Sequence, residues 1–255
     1  PRARFSAQKL VDQDDARILV TTWPFTWGEV RRGSSDNSGT RPRSTRMARA
    51  YLHFEQQEQA ERPLRGELSL HGQHQPFVID GFEQHLNTEA DGSFALQWQG
   101  TVLAAGIETT YAHAPMDDDD EFRLDGSYLA AALGNWVIGG GSLNRWWGPG
   151  WHTSLMLSNN SRPIQGIWLS RNISHASKCP LISWLGPWHF TLLTGESQPR
   201  LPAAEADLTA ARFTFRPLPP LEVGVSGAVL EEDKTTNGQD GERREVSSLD
   251  IRYSL

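Results

Sequence analysis

The chain has 255 residues, 38% of them hydrophobic and 22% charged, with a formal net charge of -7 and a mean hydropathy of -0.50. No basic stripe offsets that charge, which disfavours nucleic acid as a partner, and no run of about 18 apolar residues occurs, which excludes a transmembrane helix but not a β-barrel, whose strands need only about 10 alternating residues. Cys179 is the single cysteine, so neither an internal disulfide nor a cysteine-built metal site can form.

At the amino end, Pro1-Arg2-Ala3-Arg4 leads into no apolar signal region, and at the other end the last strand stops at Leu255 without a terminal motif. The expectation is a piece cut from a longer chain. The N-terminal segment up to Pro63 does not read as strands: Lys9–Val20 is mixed, Thr22–Gly28 is a Trp/Pro turn, and Arg32–Arg43 is polar and turn-rich. From Ser44 the residues Met47, Ala50, Tyr51 and Phe54 fall on one helical face, and Pro63 stops the helix. Arg43, Arg46 and Arg49 lie off that face, so the helix suits either a small helical bundle or an anionic membrane surface.

From Leu64 the period changes to two. Phe94, Leu96, Trp98 and Val102 alternate with Ser93, Ala95, Gln97, Gln99 and Thr101; Phe122, Leu124 and Tyr128 alternate with Arg123, Asp125 and Ser127; Leu221, Val223 and Val225 alternate with Glu222, Gly224 and Ser226. The pattern predicts ten strands, near 65–71, 77–90, 93–108, 121–133, 136–144, 164–173, 184–194, 207–216, 221–230 and 245–254. Alternation alone does not tell whether the apolar face meets lipid or a core. Tight turns are expected at Asp91-Gly92, Gly134-Asn135 and Pro217–Pro220.

Leu133–Pro163 differs from everything around it. It holds Trp136, Trp146, Trp147 and Trp151 among glycines, with Asn144, Arg145, Asn159, Asn160 and Arg162 beside them. Indole faces suit the apolar C–H face of a sugar, asparagines offer both donors and acceptors to hydroxyls, and guanidinium forks match carboxylates. The same residues equally serve as packing groups in a glycine-rich turn, and Arg145 as a lumen charge paired with a neighbouring acid. The acidic run Met116–Glu121 lacks a spaced calcium-loop pattern and reads as a solvated loop, and His71 and His74 have no second cluster to complete a metal site. No nucleophile elbow, P-loop or dinucleotide motif occurs: Gly224-Val225-Ser226-Gly227 sits in a predicted strand and Gly139–Gly141 lacks the spacing.

The run Gly134-Asn135-Trp136, then Arg145-Trp146-Trp147-Gly148-Pro149-Gly150-Trp151, then Ser154-Leu155 through Leu157-Ser158-Asn159-Asn160 to Arg162-Pro163 resembles the signature of the Wzi family of capsule-assembly outer-membrane proteins. Asp125–Ala130 and Thr22–Trp27 fall where that family has similar segments, so the resemblance covers most of the chain. It implies an all-β fold, a transmembrane antiparallel β-barrel of which this chain is the N-terminal portion. Residues 1–63 would form a helical segment on the periplasmic side and 64–255 about ten strands of an incomplete barrel. It implies a Gram-negative outer-membrane lectin that binds and anchors capsular polysaccharide or exopolysaccharide, among outer-membrane lipid, lipopolysaccharide and the polysaccharide export machinery, with no enzymatic step, cofactor or metal. Arg145, Trp146, Trp147 and Trp151 are the expected glycan contacts, with Asn159, Asn160 and Arg162 in support.

With the helical end periplasmic, the long connections Thr109–Asp120, Arg145–Pro163, Gly195–Ala206 and Glu231–Arg244 fall on the outside and the tight turns within, as outer-membrane barrels have them. Gly72–Pro76, short on the outside, and Ser174–Ser183, long on the inside, depart from the rule. Leu155–Leu157 are expected to lie outside the sheet ladder. Two other functions stay open at this point: a passive channel lined by Arg123, Asp125, Gln97 and Gln99, and a soluble β-sandwich enzyme acting on carbohydrate.

Overall fold

The computed structural model describes residues 1–33, 42–72, 81–82, 88–113, 121–197, 206–232 and 243–254. In chain order it contains α1 (Arg2–Asp12), β1 (Thr22–Trp23), α2 (Trp27–Gly33), α3 (Arg43–Glu61), β2 (Leu64–Gly72), β3 (Ala90–Gln99), β4 (Leu103–His113), β5 (Phe122–Arg123), β6 (Tyr128–Leu133), β7 (Trp136–Ser142), β8 (Trp146–Trp147), β9 (Gln165–Arg171), a 3-10 turn (Ser183–Leu185), β10 (Trp188–Ser197), β11 (Ala206–Leu218), β12 (Leu221–Glu232) and β13 (Arg243–Tyr253). None of its described helices is long and apolar enough to cross a membrane.

Ten of these strands form one antiparallel meander, β2-β3-β4-β6-β7-β9-β10-β11-β12-β13, with β5 appended to β4. β2 and β13 are its edges and do not pair with each other, so the sheet is curved but not closed. Part of the curvature comes from glycine. Gly141, Gly166 and Gly195 stand opposite one another across β7, β9 and β10. A Cβ at Gly166 would lie 2.1 Å from the Thr194 carbonyl oxygen, and one at Gly195 would lie 2.3 Å from that of Gln165. Only residues without a side chain let neighbouring backbones fold this sharply toward each other.

The two faces of the sheet are inverted relative to a soluble protein. On β12 the alternate polar residues Glu222 and Ser226 are 1% and 3% exposed, whereas Val225 on the opposite face is 48% exposed. The register continues the exposed row through Val225 to Leu249 and through Val223 to Ile251. Leu68, Ile107, Leu129 and Ile167 extend the exposed apolar surface over the other strands. So broad an apolar surface is stable only against lipid. The ambiguity of the alternation is thereby resolved: apolar side chains face out, polar ones in.

At one end of the sheet the strands are joined by Gly100–Val102, Gly134–Asn135, Asn172–Pro187 and Pro219–Pro220; at the other, by the segments 73–89, 114–127, 143–164, 198–205 and 233–242. These are a turn end and a loop end. Outward-facing rings gather toward the turn end, where Trp136 packs on Phe190, Trp188 on Phe213, and Phe213 on Phe215, at centroid separations of 6.4, 5.8 and 5.7 Å. Such a girdle marks the membrane–water boundary of a barrel.

Two strand assignments differ from expectation, and the errors offset each other. Asp91 and Gly92 do not turn. They lie within β3, where Asp91 is paired with His71 and with Ala112, and strand neighbours on both sides override the local turn preference. The turn is instead Gly100–Val102, which divides the expected 93–108 strand into β3 and β4. The expected 77–90 strand is mostly outside the described residues, and its Gly81 and Phe82 are in no strand. With β2 and β3 joined by residues 73–89, the first exception to the turn rule disappears.

The N-terminal segment packs on the inner face of the sheet. Ala7, Leu10 and Val11 of α1 share a core with Ala16, Ile18, Val20, Val30, and Ala48 and Leu52 of α3. On α3 the buried face is Thr45, Ala48 and Leu52, not the expected one: Met47 and Phe54 are 62% and 56% exposed, and only Tyr51 packs against the core. Small residues are buried because they let α1 approach closely. Arg49 of α3 pairs with buried Asp15.

From Asp15 to Trp23 the chain is clamped by inward polar groups of the sheet. Glu222 accepts hydrogen bonds from the Val20 amide and from the amide and hydroxyl of Thr21, at 3.1, 2.9 and 2.6 Å. Arg212 donates to the hydroxyls of Thr21 and Thr22, and Arg216 to the Ile18 carbonyl. Glu29 on α2 accepts from the amide of Ser174 at 2.5 Å and from its hydroxyl.

Candidate functional site: the tryptophan-rich excursion

Between β7 and β9 the chain leaves the sheet, and β7 pairs directly with β9 across the gap. Leu155–Leu157 stay outside the ladder. The excursion folds inward to meet the N-terminal segment. β8 pairs with β1, setting Trp146 opposite Trp23 and Trp147 opposite Thr22. The Gly148 amide donates to the Thr21 carbonyl at 2.8 Å, which extends the junction by one residue.

Arg4 of α1 holds this junction. Its Nη2 donates to the carbonyls of Gly148, Pro149 and Gly150 at 3.2, 3.1 and 2.7 Å. Its guanidinium lies 4.2 Å from the Phe82 ring centroid and 4.7 Å from that of Trp151. Burial pulls the Arg4 pKa down to about 10, with Arg252 adding to the effect. The charge persists at neutral pH because the carbonyl dipoles and aromatic faces replace water. Phe82 is the hub of the rings, in edge contact with Trp23, Trp146 and Trp151. Its amide donates to the Trp151 carbonyl at 2.8 Å, and its own carbonyl accepts from Asn159 Nδ2 at 2.8 Å.

The structure thus places the seven expected contacts in two sets. Arg145, Trp146, Trp147 and Asn159 are buried; both indoles are 1% exposed and present no open ring face to a sugar. Trp146 Nε1 donates to the Gly150 carbonyl, and Trp147 packs on Leu208 and Ala210 with Met156, Leu157 and Ile164 around it. The physical reason is the inward fold: these rings meet the N-terminal segment and the inner wall. Trp151, Asn160 and Arg162 are half-buried. Trp151 Nε1 donates to Gln8 Oε1 at 3.0 Å. Arg162 makes a two-pronged pair with Asp125, Nε and Nη2 reaching Oδ2 and Oδ1 at 3.0 and 3.2 Å, which ties the end of the excursion to the β5–β6 connection.

Arg145 is the buried cation of the set. Its guanidinium lies 4.8 Å from the Trp168 ring, and desolvation by burial lowers its pKa to about 10. Trp168 in turn lies flat on β7, where Gly139 leaves room for its six-membered ring. The arrangement offers positive charge, indole edges and amide groups under the loop end of the sheet. It holds no grouping of three or more His, Cys, Asp or Glu residues suited to a metal ion among the described residues. The acidic run lies, apart from Glu121, outside the described residues, as does His74; His71 contacts Asp91 at 3.2 Å.

Arg4, Gln8 and Phe82 escaped the sequence reading. Small and apolar residues at helical spacing, Ala3, Ala7, Leu10 and Val11, were the available signal for α1 and hence for the position of Arg4. Nothing local marked Phe82, whose role depends on contacts with residues 4, 23, 146 and 151.

A family model described as capsule assembly protein Wzi matches residues 59–231. Among curated proteins, an uncharacterised 55.8 kDa protein in the cps region of Klebsiella pneumoniae is 24% identical over 226 residues, covering 85% of this chain and 43% of that protein. Among solved structures, this fold superposes with a TM-score of 0.83 and 20% identity on Escherichia coli Wzi, described as an outer-membrane protein involved in group 1 capsule assembly and a carbohydrate-binding β-barrel. That match covers 99% of this chain and 58% of the other. The chain spans about half the length of these relatives.

Proposed function

The chain belongs to the capsule assembly protein Wzi family, and from that premise we propose that it is part of an outer-membrane lectin barrel that binds capsular polysaccharide or exopolysaccharide and holds it at the bacterial surface. Binding is non-covalent, through stacking and hydrogen bonds, with no catalytic step. The protein works among outer-membrane lipid and lipopolysaccharide and next to the machinery that exports the glycan. The helical segment 1–63 lies on the periplasmic side. Strands from 64 onward form part of a barrel whose two open edges, β2 and β13, are completed by further strands, because unpaired backbone groups facing lipid cost several kcal/mol each.

The observation that supports this reading is the Trp-rich excursion, packed as a braced wall rather than a free loop, in which Trp151, Asn160 and Arg162 keep part of their surface open. Trp151 offers the part of its indole that Arg4, Phe82 and Gln8 leave open, Asn160 amide groups, and Arg162 a fork that can exchange Asp125 for a sugar carboxylate. Arg145, Trp146, Trp147 and Asn159 fix the wall from within, and Arg145 adds positive charge under it. Of the residues expected to line a passive channel, Arg123 is buried, Asp125 is paired with Arg162, and Gln97 and Gln99 are exposed; farther round the wall the N-terminal segment bonds to the inward groups Arg212 and Glu222, which disfavours an open pore there.

The test is binding of the full-length protein, in detergent, to purified surface polysaccharide from its own organism. Trp151→Ala and Arg162→Gln should weaken binding while the barrel stays folded. Trp146→Ala/Trp147→Ala should lose binding together with protection of the excursion from protease. Equal binding by wild type and all variants would remove the excursion from the glycan site.

A further inference from the structure

One connection at the turn end is out of pattern. Gly100–Val102, Gly134–Asn135 and Pro219–Pro220 are minimal, but Asn172–Pro187 is long. Its first residues are fixed: the Ile173 amide donates to Asn135 Oδ1 and Asn135 Nδ2 donates to the Ile173 carbonyl, each at 3.0 Å, and Thr26 donates to the Asn172 carbonyl at 2.7 Å. Its last residues are fixed as well, since the Arg216 amide donates to the Pro187 carbonyl at 2.9 Å and Gly186 turns the chain at φ +65.

Between these two anchors the loop carries apolar side chains that the described residues leave exposed. Leu181 is 83% exposed, Trp184 63% and Ile182 39%. Ser183–Leu185 coil into a 3-10 turn, and the Trp184 ring stands edge-on to Phe215 with centroids 6.0 Å apart. Phe215 is on the outward face of β11, opposite Trp188 on one side and Val223 on the other. The loop therefore does not hang below the barrel. It folds against the outside of the wall, at the aromatic girdle, and its apolar surface runs on into the lipid-facing surface of the strands. Lys178, exposed three residues before Leu181, supplies a cation beside this patch.

We propose that Ser177–Leu185 is a membrane-interface anchor, with Leu181, Ile182 and Trp184 set into the headgroup–acyl boundary of the phospholipid leaflet and Lys178 at its phosphates. Continuity with the strand surface points to lipid as the occupant, because a ring in edge contact with a girdle residue shares its solvent. The side of the membrane follows from the turns, since short turns face the periplasm in outer-membrane barrels, where the leaflet is phospholipid and not lipopolysaccharide. Trp184 Nε1 already donates to the Leu181 carbonyl at 3.1 Å, so its ring can enter the boundary without an unpaired N–H, and Lys near anionic headgroups is attracted to them. The anchor rests on the barrel lying in the membrane and is independent of glycan binding.

The experiment uses the full-length protein with Cys179 and any other cysteine replaced by serine, folded into vesicles of phosphatidylethanolamine and phosphatidylglycerol. A nitroxide is attached at Leu181→Cys, at Leu249→Cys on the lipid face, and at Thr153→Cys in the excursion. Heat-modifiable migration on a gel verifies folding of each. Collision of the label with oxygen and with a water-soluble nickel chelate is then measured. The expected result is that the label at 181 resembles the one at 249, with loss of most nickel collisions and a gain in oxygen collisions relative to 153. A label at 181 as open to nickel as that at 153, while 249 stays protected, overturns the anchor and leaves the barrel intact. Free nickel access at 249 too would overturn both.

Discussion

Arg212 on β11 and Asp250 on β13 meet across the intervening strand in a two-pronged pair, Nη1 to Oδ2 at 2.7 Å and Nη2 to Oδ1 at 3.0 Å, with the arginine side chain wholly out of solvent. The same guanidinium donates to Ser226 on the strand between them and to Thr21 and Thr22 of the N-terminal segment. One side chain thus couples three strands to the segment packed inside them. Asp250→Asn should cost about 3–5 kcal/mol, because it leaves a buried guanidinium short of its counter-charge. Arg212→Met/Asp250→Leu, which removes both charges, should recover most of that loss. Denaturant unfolding of the full-length protein in lipid vesicles measures both.

The contact between α2 and the turn end should depend on pH. Burial pushes the Glu29 carboxyl from 4.5 up to about 7, against the lowering effect of its hydrogen bonds from Ser174 and of Arg171. The folded state therefore keeps a proton that the unfolded chain releases, so this group's contribution is full below about 4.5 and fades as pH rises through about 7, by about 3 kcal/mol across the window. Stability should fall from pH 5 to pH 8 in the wild type. Glu29→Gln should flatten that fall; an identical slope in the variant would show that Glu29 is not the titrating group.

Outward-facing positions should tolerate apolar exchange and resist charge. Leu249, 61% exposed, has Val225 opposite it on the apolar face of β12. Leu249→Arg should cost about 2–4 kcal/mol if its depth is near the bilayer centre. Leu249→Ile should be nearly neutral. Folding free energies into vesicles distinguish the two, and an equally small effect of both would place this face in water.

How much of this was legible in sequence follows from the range of each signal. The period of two on β12 and on β3 is local, and it located strands without revealing which face met lipid, since that depends on what covers Glu222 and Ser226. Gly134-Asn135 turned as expected because its hairpin is closed by adjacent residues; Asp91-Gly92 did not, because β2 and β4 both pair with it. The excursion stood out by composition, but the division between buried Trp146 and half-buried Trp151 did not. That division is set by α1, 143 residues away from Trp151 in the case of Gln8, and no window of sequence contains both.

Gly139 is required by the ring opposite it. A Cβ there would lie 2.3 Å from Trp168 Cζ2, inside any permitted contact. Gly139→Ala should therefore displace the indole and with it Arg145, stacked 4.8 Å away, at a cost of about 1–3 kcal/mol. Adding Trp168→Leu should relieve the clash and restore part of the stability while leaving Arg145 without its aromatic partner. A double-mutant cycle on thermal unfolding reads the coupling; simple additivity of the two changes would mean the residues do not meet.

The junction of α1 with the excursion rests on Arg4, and two variants separate charge from shape. Arg4→Gln removes the cation that lies over Phe82 and Trp151, and its side chain, two bonds shorter, withdraws the donor from the three carbonyls that Nη2 now serves. The loss should be about 2–4 kcal/mol, local to the junction, since buried carbonyls left unpaired cost about 1–3 kcal/mol. Arg4→Lys keeps the charge but loses the planar fork that stacks between rings and should fall between wild type and Arg4→Gln. Hydrogen exchange at the amides of Phe82 and Gly148, which donate to Trp151 and Thr21, should accelerate in that order. The amides of β12, held in the ladder by β11 and β13, should remain protected in both variants. Faster exchange spread evenly over β12 as well would mean that Arg4 supports the whole sheet and not the junction alone.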